Sequence, residues 1–212
     1  AQITPGNVRD LVQVWSYRTG DLTKRPLAVM KRTKLQATPI LHNERLLLCT
    51  PFNEIVALDP GNGAELWRFD PKVPETMRPG NLFGCRGVAA WDDLAAPAGA
   101  VCRSRVYTAT NDGRVVAVDI ATGKPCAGFG NNGEVQAGPD RPELYKGEFQ
   151  ITSAPVAVND VIVVGSAISD NQRADAPRGT VKAFDARTGA LKWTFDPIPQ
   201  TEAAAAVQGW AK

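Results

Sequence analysis

The chain has 212 residues, 43% of them apolar, with 19 Gly, 16 Pro and a formal charge of +2. That apolar share suffices for a core, and the Gly and Pro content suits turn-dense β structure. The weak charge, carried by scattered Lys and Arg, gives little support to nucleic-acid binding, and no run of about 18 apolar residues exists to span a bilayer.

Reading from the N-terminus, Val14-Trp15-Ser16-Tyr17-Arg18-Thr19-Gly20 has the pattern of one strand. The basic cluster that follows, Lys24-Arg25 and Lys31-Arg32-Lys34, lacks interleaved aromatics and is expected to be a solvated loop. Thr38-Pro39-Ile40-Leu41 turns at His42-Asn43-Glu44 into Arg45-Leu46-Leu47-Leu48-Cys49-Thr50. The only histidine, His42, therefore reads as a solvated turn residue.

Next comes a hairpin phrase. Ile55-Val56-Ala57-Leu58 is apolar, residues 59–63 supply turn chemistry, and Leu66-Trp67-Arg68-Phe69 alternates. Asp59 can accept backbone N–H groups in the turn, and Gly63 can take a positive φ. The phrase returns at Val115-Val-Ala-Val-Asp119 with Thr122-Gly123, where Cys126 and Phe129 follow in place of Trp. It returns again at residues 181–197, with Asp185, Gly189 and Trp193. Trp67 and Trp193 are suited to packing between neighbouring sheets.

Each hairpin follows another strand pair: residues 87–91 with 103–110 in the middle unit, and 153–158 with 161–166 in the third. Asp59, Asp119 and Asp185 lie 60 and 66 residues apart, too long for a helical solenoid and suited to a four-stranded blade with insertions. The expected fold is all-β, a β-propeller segment. Residues 1–36 form an N-terminal strand and linker, 37–71, 85–130 and 150–197 form blades, and 198–212 begin the next segment. The short run 203–207 is the one helix candidate. Three and a half blades leave open edges, which need covering, so the chain is expected to be part of a larger propeller.

Four cysteines, Cys49, Cys85, Cys102 and Cys126, show no CxxC spacing and no His cluster, which argues against zinc. Their even number suits an oxidising compartment, although free buried thiols are equally ordinary. Cys85 and Cys102 flank the longest insertion and are the candidate disulfide. Asp92-Asp93, Glu143 and Glu148 read as loop charges. No GxGxxG follows a strand, and no Walker loop or Gly-x-Ser-x-Gly elbow occurs.

An ordered series of motifs runs through this frame: Trp15-Ser-Tyr-Arg-Thr-Gly-Asp21, Thr38-Pro-Ile40, Leu48-Cys-Thr50, Cys85-Arg-Gly-Val88, Thr110-Asn-Asp-Gly-Arg114, Thr152-Ser-Ala-Pro155 and Gly165-Ser-Ala-Ile-Ser-Asp-Asn171. Along essentially all 212 residues, the series resembles the membrane-bound pyrroloquinoline-quinone (PQQ) dehydrogenases of the glucose, quinate and polyol type. Their repeating tryptophan-docking motif matches the hairpin phrase. The resemblance implies an eight-bladed periplasmic propeller, in a protein anchored in the inner membrane, with PQQ and Ca²⁺ or Mg²⁺ on its axis. It also implies oxidation of a sugar or polyol, with electrons passing to ubiquinone. The chain corresponds to the N-terminal part of that propeller, the remaining blades being its partners.

The resemblance also assigns residues. Arg18 and Arg86 match arginines near the cofactor, and a guanidinium can hold a carboxylate bidentately; on their own they would be surface or blade-linking arginines. Thr152 and Ser153 match hydroxyls at an inner strand, otherwise ordinary strand residues. Asp170 and Asn171 match a pair beside the metal and offer hard oxygen ligands, otherwise a turn. Gln36 stands where relatives carry Glu, and Leu82 where the glucose enzymes carry His. The base that takes the hydroxyl proton lies in later blades, so no catalytic residue is expected here and the isolated chain is expected to be inactive. The alternative is a non-catalytic PQQ-repeat propeller serving as a scaffold, which would have no reason to keep Cys-Arg-Gly or Ser-Asp-Asn. A dehydrogenase relative that has lost its cofactor is a third reading, consistent with Gln36 and Leu82.

Overall fold

A computed structural model describes residues 2–169 and 172–209. The N-terminal arm holds a 3-10 turn at Val8–Asp10 and two single-turn helices, α1 (Asp21–Lys24) and α2 (Leu27–Met30), before β1 (Thr33–Thr38). Then come β2 (Ile40–His42), β3 (Arg45–Cys49), β4 (Ile55–Leu58), β5 (Glu65–Phe69) and β6 (Phe83–Gly87). The middle unit contains β7 (Ala89–Asp92), β8 (Ser104–Ala109), β9 (Arg114–Asp119) and β10 (Glu134–Gln136). The last contains β11 (Phe149–Gln150), β12 (Val156–Val158), β13 (Val161–Gly165), β14 (Ala167–Ile168), β15 (Val181–Asp185) and β16 (Leu191–Phe195), followed by α3 (Glu202–Val207).

Three four-stranded antiparallel sheets result, ordered β2-β3-β4-β5, β7-β8-β9-β10 and β12-β13-β15-β16. These are the blades. Short loops join the hairpin strands because the turns carry their own acceptors. Asp185 Oδ1 takes the N–H groups of Arg187 and Thr188 at 3.0 and 2.9 Å, and Asp59 does the same for Gly61 and Asn62 at 2.7 and 3.2 Å. Between blades lie apolar clusters: Leu47, Cys49, Ile55 and Ala57 meet Val106, Val116 and Val118, while Tyr107, Val115 and Phe129 meet Ile162, Val164 and Phe184.

A tryptophan closes the first junction. Trp67 Nε1 donates to Ile120 O at 3.0 Å, and its ring lies so close over Gly123 that a Cβ there would sit 2.7 Å from it. Trp15 treats Gly63 and Pro60 O in the same way. The middle blade has no Trp in its repeated hairpin, and the second junction uses other groups, among them Trp91 of β7, whose Nε1 donates to Asn159 O at 2.7 Å. Tyr107 Oη donates to Ala186 O at 2.6 Å, Arg105 Nη1 donates to the same carbonyl at 2.9 Å, and Val135 and Phe129 lie over Gly189.

Several expectations are corrected. Residues 14–20 form no strand. The arm is instead held by side chains: Tyr17 bonds Glu65, Arg68 Nη2 donates to Thr19 O at 3.2 Å, and Trp15 and Tyr17 pack on Leu48, Val56 and Leu58. The basic cluster is not wholly solvated. Arg25 lies over the Phe52 ring and pairs with Asp21, Glu54 and Glu75 at 2.8, 2.7 and 2.8 Å, because its guanidinium is drawn in among three carboxylates. His42 is half-buried, with Nε2 3.1 Å from Asp92 Oδ2, because β2 delivers it beside the end of β7. In the middle blade the outer strand β10 comes only after the excursion that carries Cys126 and Phe129.

The Cys85–Cys102 pairing is also overturned: the disulfides are Cys49–Cys85 and Cys102–Cys126. Asp119 Oδ2 accepts Cys102 N at 2.6 Å, which seats Cys102 over the β9 turn near Cys126, with their Cα atoms 5.7 Å apart. Cys85 faces β3 of the preceding blade, its Cα 6.1 Å from that of Cys49.

Candidate functional site

The chain enters each blade through an extended lead-in, at residues 33–38, 83–88 and 149–155, and these lead-ins converge. β1 pairs in parallel with β6, matching Lys34 to Gly84 and Leu35 to Cys85. Arg86 N donates to Thr152 O at 3.0 Å. At Gly87 all three lead-ins meet: a Cβ there would lie 3.2 Å from Ala154 Cβ and 3.4 Å from Thr38 O. Glycine is the residue that permits so close an approach.

Successive side chains of an extended segment point to opposite faces. On β6 this buries Cys85 and exposes Arg86. The Arg86 guanidinium donates through Nη1 to Thr152 Oγ1 at 3.2 Å; Thr152 is buried and Ser153 exposed. Gln36 is exposed on β1, its Oε1 4.0 Å from where a Cβ on Gly84 would stand. The structure thus gathers Gln36, Arg86, Thr152 and Ser153 along the converging lead-ins. Arg18 stands apart in the N-terminal arm, exposed, and shares no hydrogen bond or ion pair with this group among the described residues. Asp170 and Asn171 lie outside the described residues.

A buried amide relay, not foreseen from the sequence, holds the lead-ins to the blades. Asn111 Nδ2 donates to Asn53 Oδ1 at 2.6 Å, Gln150 Nε2 donates to Asn111 Oδ1 and Leu82 O at 3.1 Å each, and Asn81 N donates to Gln150 Oε1 at 2.7 Å. The Asn53, Asn111 and Gln150 side chains are buried, where an unsatisfied amide is costly and a satisfied network is rigid. Its sequence signal was the amide at equivalent turns of successive blades. Leu82 lends its carbonyl to the relay from a left-handed conformation, φ 66°.

Around the third blade the carboxylates serve structure. Glu148 is buried and bidentate with Arg173, at 2.8 and 3.0 Å, and also accepts Leu144 N at 2.7 Å. The Arg173 hydrogen bond holds the Glu148 carboxyl below its usual range despite its burial. Glu143 accepts Gly147 N and Phe149 N, each at 3.1 Å. Between these loops opens a cleft of about 870 Å³, with Arg78, Tyr145, Lys146 and Gln136 in its walls. Among the described residues no group of three or more His, Cys, Asp and Glu is placed to hold a metal ion, and no helix is long and apolar enough to cross a membrane.

Three four-stranded antiparallel blades packed face to face through apolar clusters define a segment of a β-propeller. The chain belongs to the PQQ family described as the glucose/ethanol/alcohol dehydrogenase β-propeller domain, whose family profile matches residues 1–212. It is 39% identical over 212 residues to the quinate/shikimate dehydrogenase (quinone) of Acinetobacter baylyi, covering 92% of this chain and 25% of that protein. It is 34% identical over 206 residues to quinoprotein glucose dehydrogenase A of Acinetobacter calcoaceticus, with the same coverage. Among solved structures, a quinohemoprotein alcohol dehydrogenase of Pseudomonas putida HK5 matches with a TM-score of 0.58 and 28% identity, over 79% of this chain and 21% of that one. The chain thus spans about a quarter of the length of the curated relatives it matches.

Proposed function

We propose that this chain is the first part of the propeller of a PQQ-dependent dehydrogenase that oxidises a sugar, polyol or related hydroxylated acid and passes electrons to a membrane quinone. The observation that carries this reading is the lead-in cluster, where Arg86 points outward beside Thr152 in a chain belonging to the PQQ family. The donor set fits the cofactor's chemistry: PQQ is a tricarboxylate quinone, and the four gathered side chains are one cation and three neutral hydrogen-bonding groups, with no carboxylate to repel it. Arg86 engages one N–H donor on Thr152 and keeps others for a planar anionic partner.

In this reading Arg86 binds a cofactor carboxylate, Thr152 fixes the plane of the guanidinium, and Ser153 and Gln36 supply hydrogen bonds at the rim. Asp170 with Asn171 provides oxygen ligands for Ca²⁺ or Mg²⁺. When bound, PQQ accepts the two electrons lost by the alcohol carbon. Electron transfer to quinone is supported by the similarity to a quinate/shikimate dehydrogenase (quinone), and a periplasmic setting by the two disulfides, which persist in oxidising compartments. Later blades supply the base, so the isolated chain has no turnover.

The test is reconstitution of the full-length parent with PQQ and Ca²⁺ or Mg²⁺, assayed for quinone-dependent oxidation of quinate, glucose and glycerol, alongside the 212-residue chain alone. Activity in the parent and none in the chain is the expected result. A parent that neither binds PQQ nor turns over would leave a scaffold propeller. Arg86→Met in the parent is expected to weaken PQQ binding by about 2 kcal/mol, roughly thirtyfold in Kd, through loss of a charge-assisted pair.

A further inference from the structure

We infer that the Cys49–Cys85 disulfide is a positioning device for Arg86, so that cofactor affinity depends on its oxidation; this rests on the reading of Arg86 above. β6 belongs to none of the four-stranded sheets. It is held laterally by the short parallel β1, which itself lies outside the blades, and on its other side by one backbone bond, Arg86 N to Thr152 O, with two side-chain bonds, Gly84 N to Asn111 Oδ1 at 3.4 Å and Arg86 Nη1 to Thr152 Oγ1 at 3.2 Å. The covalent tie from Cys85 to Cys49 anchors this strand to a blade interior, because Cys49 ends β3 and pairs with Ile55 of β4.

Cys49 and Cys85 are 0% and 2% exposed, at the centre of the cluster joining the first two blades. Because neighbouring side chains of an extended strand point oppositely, fixing Cys85 inward fixes Arg86 outward. Loss of the tie would free β6 to shift or twist, and a displacement of about an ångström is enough to spoil a bidentate contact. The second disulfide, Cys102–Cys126, joins the loop before β8 to the excursion after β9 within one blade and does not reach the lead-ins.

The experiment uses the full-length parent in apo form. Cys49→Ala/Cys85→Ala, Cys49→Ala alone, Cys102→Ala/Cys126→Ala and Arg86→Met are compared by PQQ titration followed by fluorescence quenching, with Tm measured on each apo protein. The expected result is that opening Cys49–Cys85 raises the PQQ Kd about tenfold or more, while opening Cys102–Cys126 leaves Kd within about twofold at a comparable fall in Tm. In an Arg86→Met background, opening Cys49–Cys85 should add little, because the two act as a unit. If the double alanine variant does not fold, Cys49→Ala alone keeps the Cys85 side chain in place and carries the comparison. Unchanged Kd on opening Cys49–Cys85, or an equal rise for both disulfides, would overturn the inference while Arg86→Met still weakens binding. An Arg86→Met variant with unchanged Kd would instead overturn the reading of Arg86 itself.

Discussion

Asp185 shows how one side chain holds a turn and sets a pH dependence. Partial burial pushes its carboxyl up, but the N–H and hydroxyl of Thr188, Lys192 and the N–H of Arg187 outweigh that and bring its pKa down to about 2. A depressed folded-state pKa means stability that is present above the unfolded value near 4 and is lost as pH falls through about 2. Asp185→Asn keeps an acceptor oxygen and removes the charge. It is expected to cost about 1–2 kcal/mol at pH 7, discounted from the full shift because the carboxylate is partly solvated, and almost nothing near pH 2. Urea unfolding of the parent and the variant across that range checks it. The Asp in each copy was legible from the sequence because its partners are its own next residues. Glu148 was misread as a loop charge because its partner, Arg173, reaches it from another loop.

At the scale of elements, the glycine after each turn is required by the side chain that covers it, a Trp ring at Gly63 and Gly123 and Val135 at Gly189. Gly123 has φ 72° and no room, a Cβ there lying 2.7 Å from Trp67, whereas Gly99 has φ 76° and nothing within 4 Å. Gly99→Ala is therefore expected to cost about 1 kcal/mol, the conformational term alone, and Gly123→Ala about 2–4 kcal/mol, since the ring must also move. Chemical denaturation of both variants separates the two contributions. Blades could be read from the alternation, the turn chemistry and the repeated phrase. The lead-in pairing of β1 with β6 could not, because parallel partners so far apart leave no local signature. The missing Trp of the middle hairpin was visible, but its replacement by Tyr107, Arg105 and Phe129 was not, since those residues reach the next blade from separate positions in the chain.

For the whole molecule, the third blade leaves an apolar stretch of β16 exposed. Leu191, Trp193 and Phe195 of β16 are 56%, 46% and 45% exposed, in a strand whose counterpart Trp67 is covered by the next blade. An edge of this kind pairs with other chains unless covered. The isolated chain is expected to self-associate, and Trp193→Glu to shift it toward monomer, in sedimentation analysis; a monodisperse monomer with β16 intact would contradict this. Under the proposed function this face would receive a further blade, with Trp193 over a turn glycine as Trp67 lies over Gly123.

The all-β blade architecture, the Asp-Gly turns and the family were legible in the chain because each rests on short-range periodicity and on ordered motifs. Packing fixes which cysteines pair, why Arg25 is half-buried and Glu148 buried, and which candidate residues lie on converging segments. Gln36, Arg86, Thr152 and Ser153 come from three lead-ins far apart in the chain, whereas Arg18 follows the N-terminal arm. The physical reason is that hydrogen bonds within a hairpin are fixed by spacing, while contacts between blades depend on how the sheets stack. Only packing sets that geometry.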